Sequence, residues 1–207
     1  MGSRLKFLVV FAVLSLILGC QRGTIKPPRG PSPTFNLTPQ ERMELALKVR
    51  NNPVDLSEKN FALVETNKGN FIFKLYSEDA PKTVSNFVRL ARAGFYDGLT
   101  WHRYKGGFII QGGDPLGTGA GSAGYRIDLE ISGKSHTEGA VGMARGDDPN
   151  SASCQFYVVL EPYPNLDDYY CVFGQVTEGM DVVKRLSAGN KTQGTPPDTI
   201  MRITISD

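Results

Sequence analysis

From Asn60 to the end of the chain, apolar residues recur at every second position in short runs, and only two stretches break that period. Side chains alternate between the two faces of a strand, so each run reads as a strand with one face buried. Phe61, Leu63 and Glu65 point one way, and Ala62, Val64 and Thr66 the other. After the turn residues Asn67-Lys68-Gly69-Asn70, the alternation resumes at Phe71, Phe73 and Leu75, which predicts a β-hairpin. Further candidate strands are Leu99–Tyr104, Phe108–Gln111, Tyr125–Ile131, Ala140–Ala144, Gln155–Leu160 and Val172–Val176, with a closing strand at Ile200–Ser206. Pro81 opens a helix with Val84, Phe87, Val88 and Ala91 at i, i+3, i+4 and i+7, ended by Gly94. A second helix covers about Gly179–Ser187 and stops by Gly189. Two helices this far apart among short strands do not form alternating βαβ units. The pattern predicts a mostly β domain over 60–207, a closed barrel of about eight strands capped by helices.

The residues before Asn60 have a different texture. Arg4 and Lys6 precede an apolar run, Phe7–Leu18, that is interrupted only by Ser15. A helix needs about 20 apolar residues to span a bilayer, so this run suits the hydrophobic stretch of a signal peptide instead. Its end, Leu16-Ile17-Leu18-Gly19-Cys20, resembles a bacterial lipobox, with Ile17 and Leu18 departing from the commoner residues. That resemblance implies a lipoprotein signal peptide over 1–19, lipid on Cys20, export, and anchoring to a bacterial membrane. With Gln21 after the Cys, the anchor would face the periplasm at the outer membrane of a Gram-negative source, or the cell surface otherwise. The alternative is an ordinary signal peptide or an uncleaved anchor. Residues 20–37 hold Pro27, Pro28, Pro31 and Pro33 with little apolar content, which predicts an extended tether. At ~3.1 Å per residue it could reach some 50 Å. Thr38-Pro39-Gln40-Glu41 then supplies an N-cap, a Pro at N1 and a capping-box Glu, so 38–59 should be a short helix to about Arg50 and a linker. Met43, Ala46, Leu47 and Arg50 form only a modest stripe, which leaves open whether this helix packs on the barrel.

Charge and residue usage exclude several chemistries. The net charge is +2, and Arg4 and Lys6 alone account for it, so no basic surface for nucleic acid is expected. Three Cys and two His make a multi-ligand metal site hard to build. Gly119-Ala-Gly121-Ser-Ala-Gly124 fits the dinucleotide fingerprint, but no helix follows to receive a pyrophosphate. It reads as a loop bending closely around another group. His102 is expected to be a hydrogen-bonded structural residue and His136 a solvated one, since neither neighbours a nucleophilic Ser or Cys. Asp147-Asp148 and Asp167-Asp168 read as turn formers. Cys154 and Cys171 are expected as free buried thiols, the commoner state of isolated core cysteines.

Arg103 stands out, because Trp101, Tyr104, Phe108, Ile109 and Ile110 surround it in sequence. Trp101-His102-Arg103 followed by Gly107-Phe108-Ile109-Ile110-Gln111-Gly112-Gly113-Asp114 resembles the signature of cyclophilins, the peptidyl-prolyl cis/trans isomerases. Ala80-Pro81-Lys82-Thr83-Val84 with Asn86-Phe87, Gly139–Ala144, Asn150–Tyr157, Leu166-Asp167 and Val172-Phe173-Gly174 extend the resemblance in order over about Asn60–Asp207. It implies an eight-stranded antiparallel barrel closed by two helices, and no cofactor or metal. The catalytic residues it implies are Arg103, Phe108 and Gln111. The substrate-binding residues it implies are Ile109, Ala144, Arg145, Gln155, Tyr157, Leu166 and Tyr170. Three positions depart from the family pattern: Tyr157 where the pocket has Phe, Arg145 where the groove has Asn, and Asn165 where a cyclosporin-contacting Trp is common.

The chemistry fits an Arg without any nucleophile. Rotation about an X-Pro amide must cross a barrier of ~18–20 kcal/mol, because twisting removes amide resonance. The twisted nitrogen regains a lone pair, and a fixed guanidinium donor binds that state better than either planar one. The expected partners are proline-containing unfolded or exported polypeptides, met by a monomer. A proline-binding chaperone or receptor module that holds such segments without turnover is the alternative. A solute-binding lipoprotein would need a βαβ pattern that is missing.

Overall fold

A computed structural model of the chain describes residues 32–57 and 61–206. The predicted signal peptide, Cys20 and most of the Pro-rich tether lie outside the described residues.

The core domain is one eight-stranded antiparallel sheet with strand order β3-β4-β6-β5-β7-β2-β1-β8. The strands are β1 Phe61–Thr66, β2 Gly69–Leu75, β3 Arg103–Lys105, β4 Ile109–Gly112, β5 Ala140–Met143, β6 Phe156–Val159, β7 Val172–Glu178 and β8 Ile200–Ser206. The sheet curls until its edges meet beside β3 and β8. There Thr100 bridges Thr199, and Gly98 N–H, Trp101 N–H and Ile200 N–H donate to the carbonyls of Ile200, Asp198 and Leu99. Short backbone bridges of this kind, and not a full ladder between β3 and β8, close the barrel.

Helix α2, Pro81–Arg92, covers one end of the barrel, and α3, Met180–Arg185, packs near β2. Phe87 of α2 inserts among Phe73, Tyr96, Phe156 and Phe173, with ring centroids 5.2–5.5 Å away. Fully burying a ring of this size contributes ~1.5–3 kcal/mol, and this plug holds helix and barrel together. The N-cap of α2 is Ala80, which has no side chain to cap with. Glu130 supplies the cap from a distant loop, accepting from Lys82 N–H at 3.1 Å and Thr83 N–H at 2.9 Å.

That capping role explains a departure from expectation. Tyr125–Ile131 alternates like a strand, yet it forms only one isolated bridge, Ile127 to Ala152. Its alternating residues have separate tasks instead. Tyr125 donates its hydroxyl to Asn86 Oδ1, Leu129 N–H donates to Asn150 Oδ1, and Glu130 caps α2.

The short helix α1, Pro39–Val49, has the predicted capping box between Thr38 and Glu41. It packs on the barrel, as does the segment before it. Gly98 has φ +81°, and a Cβ there would lie 2.1 Å from the Phe35 carbonyl oxygen, so only glycine lets the arm approach this closely. Ser32 and Thr34 donate their hydroxyls to the Asp97 carboxylate. Arg42, 2% exposed, faces inward and donates to four backbone carbonyls, two on the arm (Phe35, Leu37) and two on the barrel (Phe95, Asp97). Residues 32–37, assigned to the tether by composition, thus lie against the domain.

Cys154 and Cys171 are free and buried. Burial pushes the Cys154 thiol up to about 12 and the Cys171 thiol to about 11, so neither is a ready thiolate.

Candidate active site

Arg103 on β3, Gln111 on β4, Tyr157 on β6 and Gly142 on β5 are successive register partners across four adjacent strands. Register partners share a face, so these residues form one row across the sheet. The row lies outside the barrel. Ile110 and Val158 point into the main core, whereas Ile109, Tyr157 and Val159 pack in a second, smaller cluster with Ala140 and Val172. Gly142 makes room in that row, because a Cβ there would sit 2.2 Å from Tyr157 Cζ.

A chain of hydrogen bonds aims the guanidinium. Arg103 Nη1 donates to Gln111 Oε1 at 2.9 Å, and Gln111 Nε2 donates to Gln155 Oε1 at 2.8 Å. Gln155 Nε2 in turn donates to the carbonyls of Gly119 and Gly121 at 3.0 and 2.9 Å. The two glutamines are buried, and each amide is oriented by its neighbour. No other N–H of Arg103 is engaged by a described residue, which leaves donors free for a ligand. The Gly-rich loop serves this chain. It wraps the Asp114 carboxylate, which accepts from the N–H groups of Leu116, Thr118 and Gly119. The loop's carbonyls are thereby held in place for Gln155.

Beside Arg103 lies a cavity of about 140 Å³, lined by Arg103, Phe108, Ile109, Gln111, Ala144, Arg145, Tyr157, Leu166 and Tyr170. Nine of the ten residues expected at the site meet here. Gln155 lines an adjoining cavity of about 310 Å³, whose wall includes Gln111, Ala144 and Arg145. Arg145 is tied down between the two: its Nε and Nη2 donate to the Tyr169 carbonyl at 3.1 and 2.9 Å, and its guanidinium lies 4.6 Å from the Tyr170 ring centroid.

The two histidines differ from expectation in opposite senses. His136 is not solvated. Its side chain is 0% exposed, and it lies between Asp167 Oδ1 at 2.7 Å and the Tyr157 hydroxyl at 2.8 Å. Both ring nitrogens of His102 are buried with no partner in good hydrogen-bond geometry among the described residues, although the Thr100 backbone and the Gln155 side chain lie beside the ring. Burial lowers its pKa, which favours the neutral ring. Asp148 and Asp168 are turn formers as read, Asp148 accepting from Asn150 N–H and Asp168 at φ 63°. Asp167 does more, since it accepts from both the ring and the backbone N–H of His136.

Sequence reasoning missed Tyr163, whose ring lies 4.5 Å from that of the cavity residue Phe108, and Lys105, whose Nζ lies 5.2 Å from the Phe108 ring centroid. It also missed His136. The signal was present, because a Tyr in an apolar pocket needs a partner for its hydroxyl and the chain has only two histidines.

The family model for cyclophilin type peptidyl-prolyl cis-trans isomerase/CLD matches residues 61–205. Peptidyl-prolyl cis-trans isomerase B of Bacillus subtilis is 48% identical over 132 residues, 63% of this chain and 90% of that protein. A peptidyl-prolyl cis-trans isomerase of Helicobacter pylori is 41% identical over 140 residues, 66% of this chain and 85% of its own length. A cyclophilin-type isomerase of Cryptosporidium parvum superposes with TM-score 0.66 at 30% identity, covering 72% of this chain and 99% of that one. The same protein in the presence of the dipeptide Ala-Pro gives TM-score 0.64 at 30% identity. Barrel, motifs and matches therefore agree, and this chain belongs to the cyclophilin-type peptidyl-prolyl cis/trans isomerases.

Proposed function

We propose that this isomerase works through Arg103, with the prolyl ring of an X-Pro segment in the cavity against Phe108, Ile109, Leu166 and Tyr157. The observation that carries the reading is the Arg103–Gln111–Gln155 chain, which fixes a charged donor beside the Phe108, Ile109 and Leu166 side of the cavity. Seated there, the prolyl nitrogen meets the guanidinium as the amide twists, and the developing lone pair accepts an N–H. A donor already held in place stabilises that state without reorganising. Gln111, Gln155 and the half-buried Ala144 and Arg145 line the path of the flanking peptide backbone, and Tyr170 closes the far wall. The chemistry uses no proton transfer and no covalent intermediate. The Cryptosporidium relative crystallised with Ala-Pro supports proline-containing peptides as ligands. An exchange assay on an X-Pro tetrapeptide separates this reading from the proline-holding alternative. Faster cis/trans exchange marks an enzyme, and binding with unchanged exchange marks a holding module.

The reading extends to place. The lipobox-like end of the apolar run, with Cys20 and the proline-rich residues after it, supports an exported isomerase carried on a lipid anchor and serving newly exported or unfolded chains as a monomer. Intact-mass analysis of protein purified from its native membrane is expected to find a mature chain beginning at Cys20 and carrying acyl chains. An unacylated mature chain would contradict the anchor and leave the isomerase untouched.

Asn165 gives an inhibitor prediction. It is exposed on the short 3-10 turn Pro164–Leu166, beside the cavity residue Leu166. An indole at this position in the family supplies a flat apolar wall to cyclosporin. Asn lacks that area, a loss of ~1–3 kcal/mol and hence about five- to 150-fold in affinity. Weak cyclosporin inhibition is expected, with Asn165→Trp restoring it and leaving turnover nearly unchanged. Tight inhibition of the unaltered protein would contradict this assignment.

A further inference from the structure

The wall of the cavity holds a buried polar relay that the isomerisation itself does not use. Tyr157 is 3% exposed and His136 is 1% exposed, and the Tyr157 hydroxyl meets His136 Nε2 at 2.8 Å. On the opposite side of the imidazole, Nδ1 meets Asp167 Oδ1 at 2.7 Å. The backbone joins in: His136 N–H donates to the same carboxylate oxygen, and Tyr163 N–H donates to the His136 carbonyl.

These contacts fix where the protons are. Burial, with Tyr170 and Cys171 nearby, raises the Tyr157 hydroxyl well above its ordinary value, so it stays protonated and donates. Partial burial works against the Asp167 carboxylate, but the bonds from the His136 ring, its backbone N–H and Ser135 outweigh it and hold that group below its ordinary value. A carboxylate only accepts, so Nδ1 carries the hydrogen and Nε2 is left to accept from Tyr157. The relay is then complete with a neutral imidazole: Tyr157 O–H to Nε2, and Nδ1–H to Asp167. A charged imidazolium would present N–H to a hydroxyl that has no other acceptor among the described residues.

The relay joins three pieces of chain. Tyr157 comes from β6, His136 from the loop before β5, and Asp167 from the turn that also carries Leu166 and Tyr163. Tyr157 and Leu166 both face the cavity, and Tyr163 packs on Phe108, a third wall. We propose that His136, oriented by Asp167, is a positioning residue that fixes the width of the proline cavity by clamping Tyr157 and the 163–167 turn to one another. The tyrosine hydroxyl is thereby turned toward His136, away from the side of the cavity made by Phe108, Ile109 and Leu166. The proposal rests on the assignment of this cavity to the prolyl ring.

Two measurements test it. In protein labelled with 15N-histidine, long-range proton–nitrogen spectra at neutral pH are expected to show His136 as the Nδ1–H tautomer with Nε2 unprotonated. An Nε2–H tautomer or a charged ring would overturn the proposal, and this test needs no variant. His136→Phe keeps a ring beside Tyr157 and removes both nitrogens. The KM for an X-Pro tetrapeptide is expected to rise about tenfold, with kcat within about twofold. Tyr157→Phe alone cuts the same link, so its KM should rise as far as that of His136→Phe, and the double variant should be within about twofold of either single one. Unchanged KM in His136→Phe, or losses that multiply in the double variant, would overturn the clamp. Failure of the cavity assignment itself would show differently, as Arg103 variants that keep full turnover.

Discussion

Replacing Arg103 with Ala is expected to lower kcat/KM for an X-Pro peptide by about 10²–10³, the range found when a single preorganised donor is removed from a developing charge. The loss should fall on kcat. The planar ground state offers the guanidinium little, because the amide nitrogen accepts no hydrogen bond until it twists, while the cavity against Phe108, Ile109 and Leu166 still holds the ring. Folding should be unaffected, since Arg103 is exposed on the short edge strand β3 and its one side-chain bond is to Gln111. A matched drop in peptide affinity, with kcat intact, would assign Arg103 to binding alone.

The largest stability effect is expected at Arg42. Its guanidinium is 2% exposed and donates to Phe95 and Asp97 at 2.6 Å, to Phe35 at 3.0 Å and to Leu37 at 3.2 Å. Burial lowers its pKa, and the Asp97 and Glu41 carboxylates oppose that shift. Bonds from a charged donor contribute ~1.5–3 kcal/mol each before desolvation is subtracted. Arg42→Ala leaves those carbonyls without donors and removes the positive charge that the Asp97 and Glu41 carboxylates favour. A net loss of about 3–5 kcal/mol is expected, the scale seen when one partner of a buried charged contact is removed. Urea unfolding reads it directly. Limited trypsin digestion should also cleave at Lys48 and Arg50 once the arm is released, while the barrel stays intact. An unchanged unfolding midpoint together with a protected arm would contradict the role given to Arg42.

Much of this architecture was legible before any coordinates, and the exceptions share a cause. Hairpin β1–β2, helix α2 and strand β8 each announce themselves by a local period, and the barrel follows from their number and spacing. The alternation at Tyr125–Ile131 has the same period for a different reason, because Asn86, Asn150 and the α2 N-terminus draw its residues to opposite sides without a partner strand. The stripe of Met43, Ala46, Leu47 and Arg50 leaves Arg42 out; only the four carbonyls that gather around it make it a core residue. The site was readable as a set of residue types, but not as a row. That Arg103, Gln111, Tyr157 and Gly142 face one another depends on the order β3-β4-β6-β5, which no local pattern encodes. His136 was misread for the same reason, since its partners Asp167 and Tyr157 are 31 and 21 residues away.

The central claim is that a fixed guanidinium, more than occupancy of the cavity, drives the rotation. NMR exchange spectroscopy on a saturating X-Pro tetrapeptide, comparing the unaltered protein with Arg103→Lys, tests it most directly. Lysine keeps the charge but loses the planar fork that Gln111 holds at 2.9 Å. The expected result is peptide binding within a few-fold of the unaltered protein, with cis/trans exchange on the bound peptide slowed at least tenfold. Exchange on the lysine variant as fast as on the unaltered protein would contradict the account.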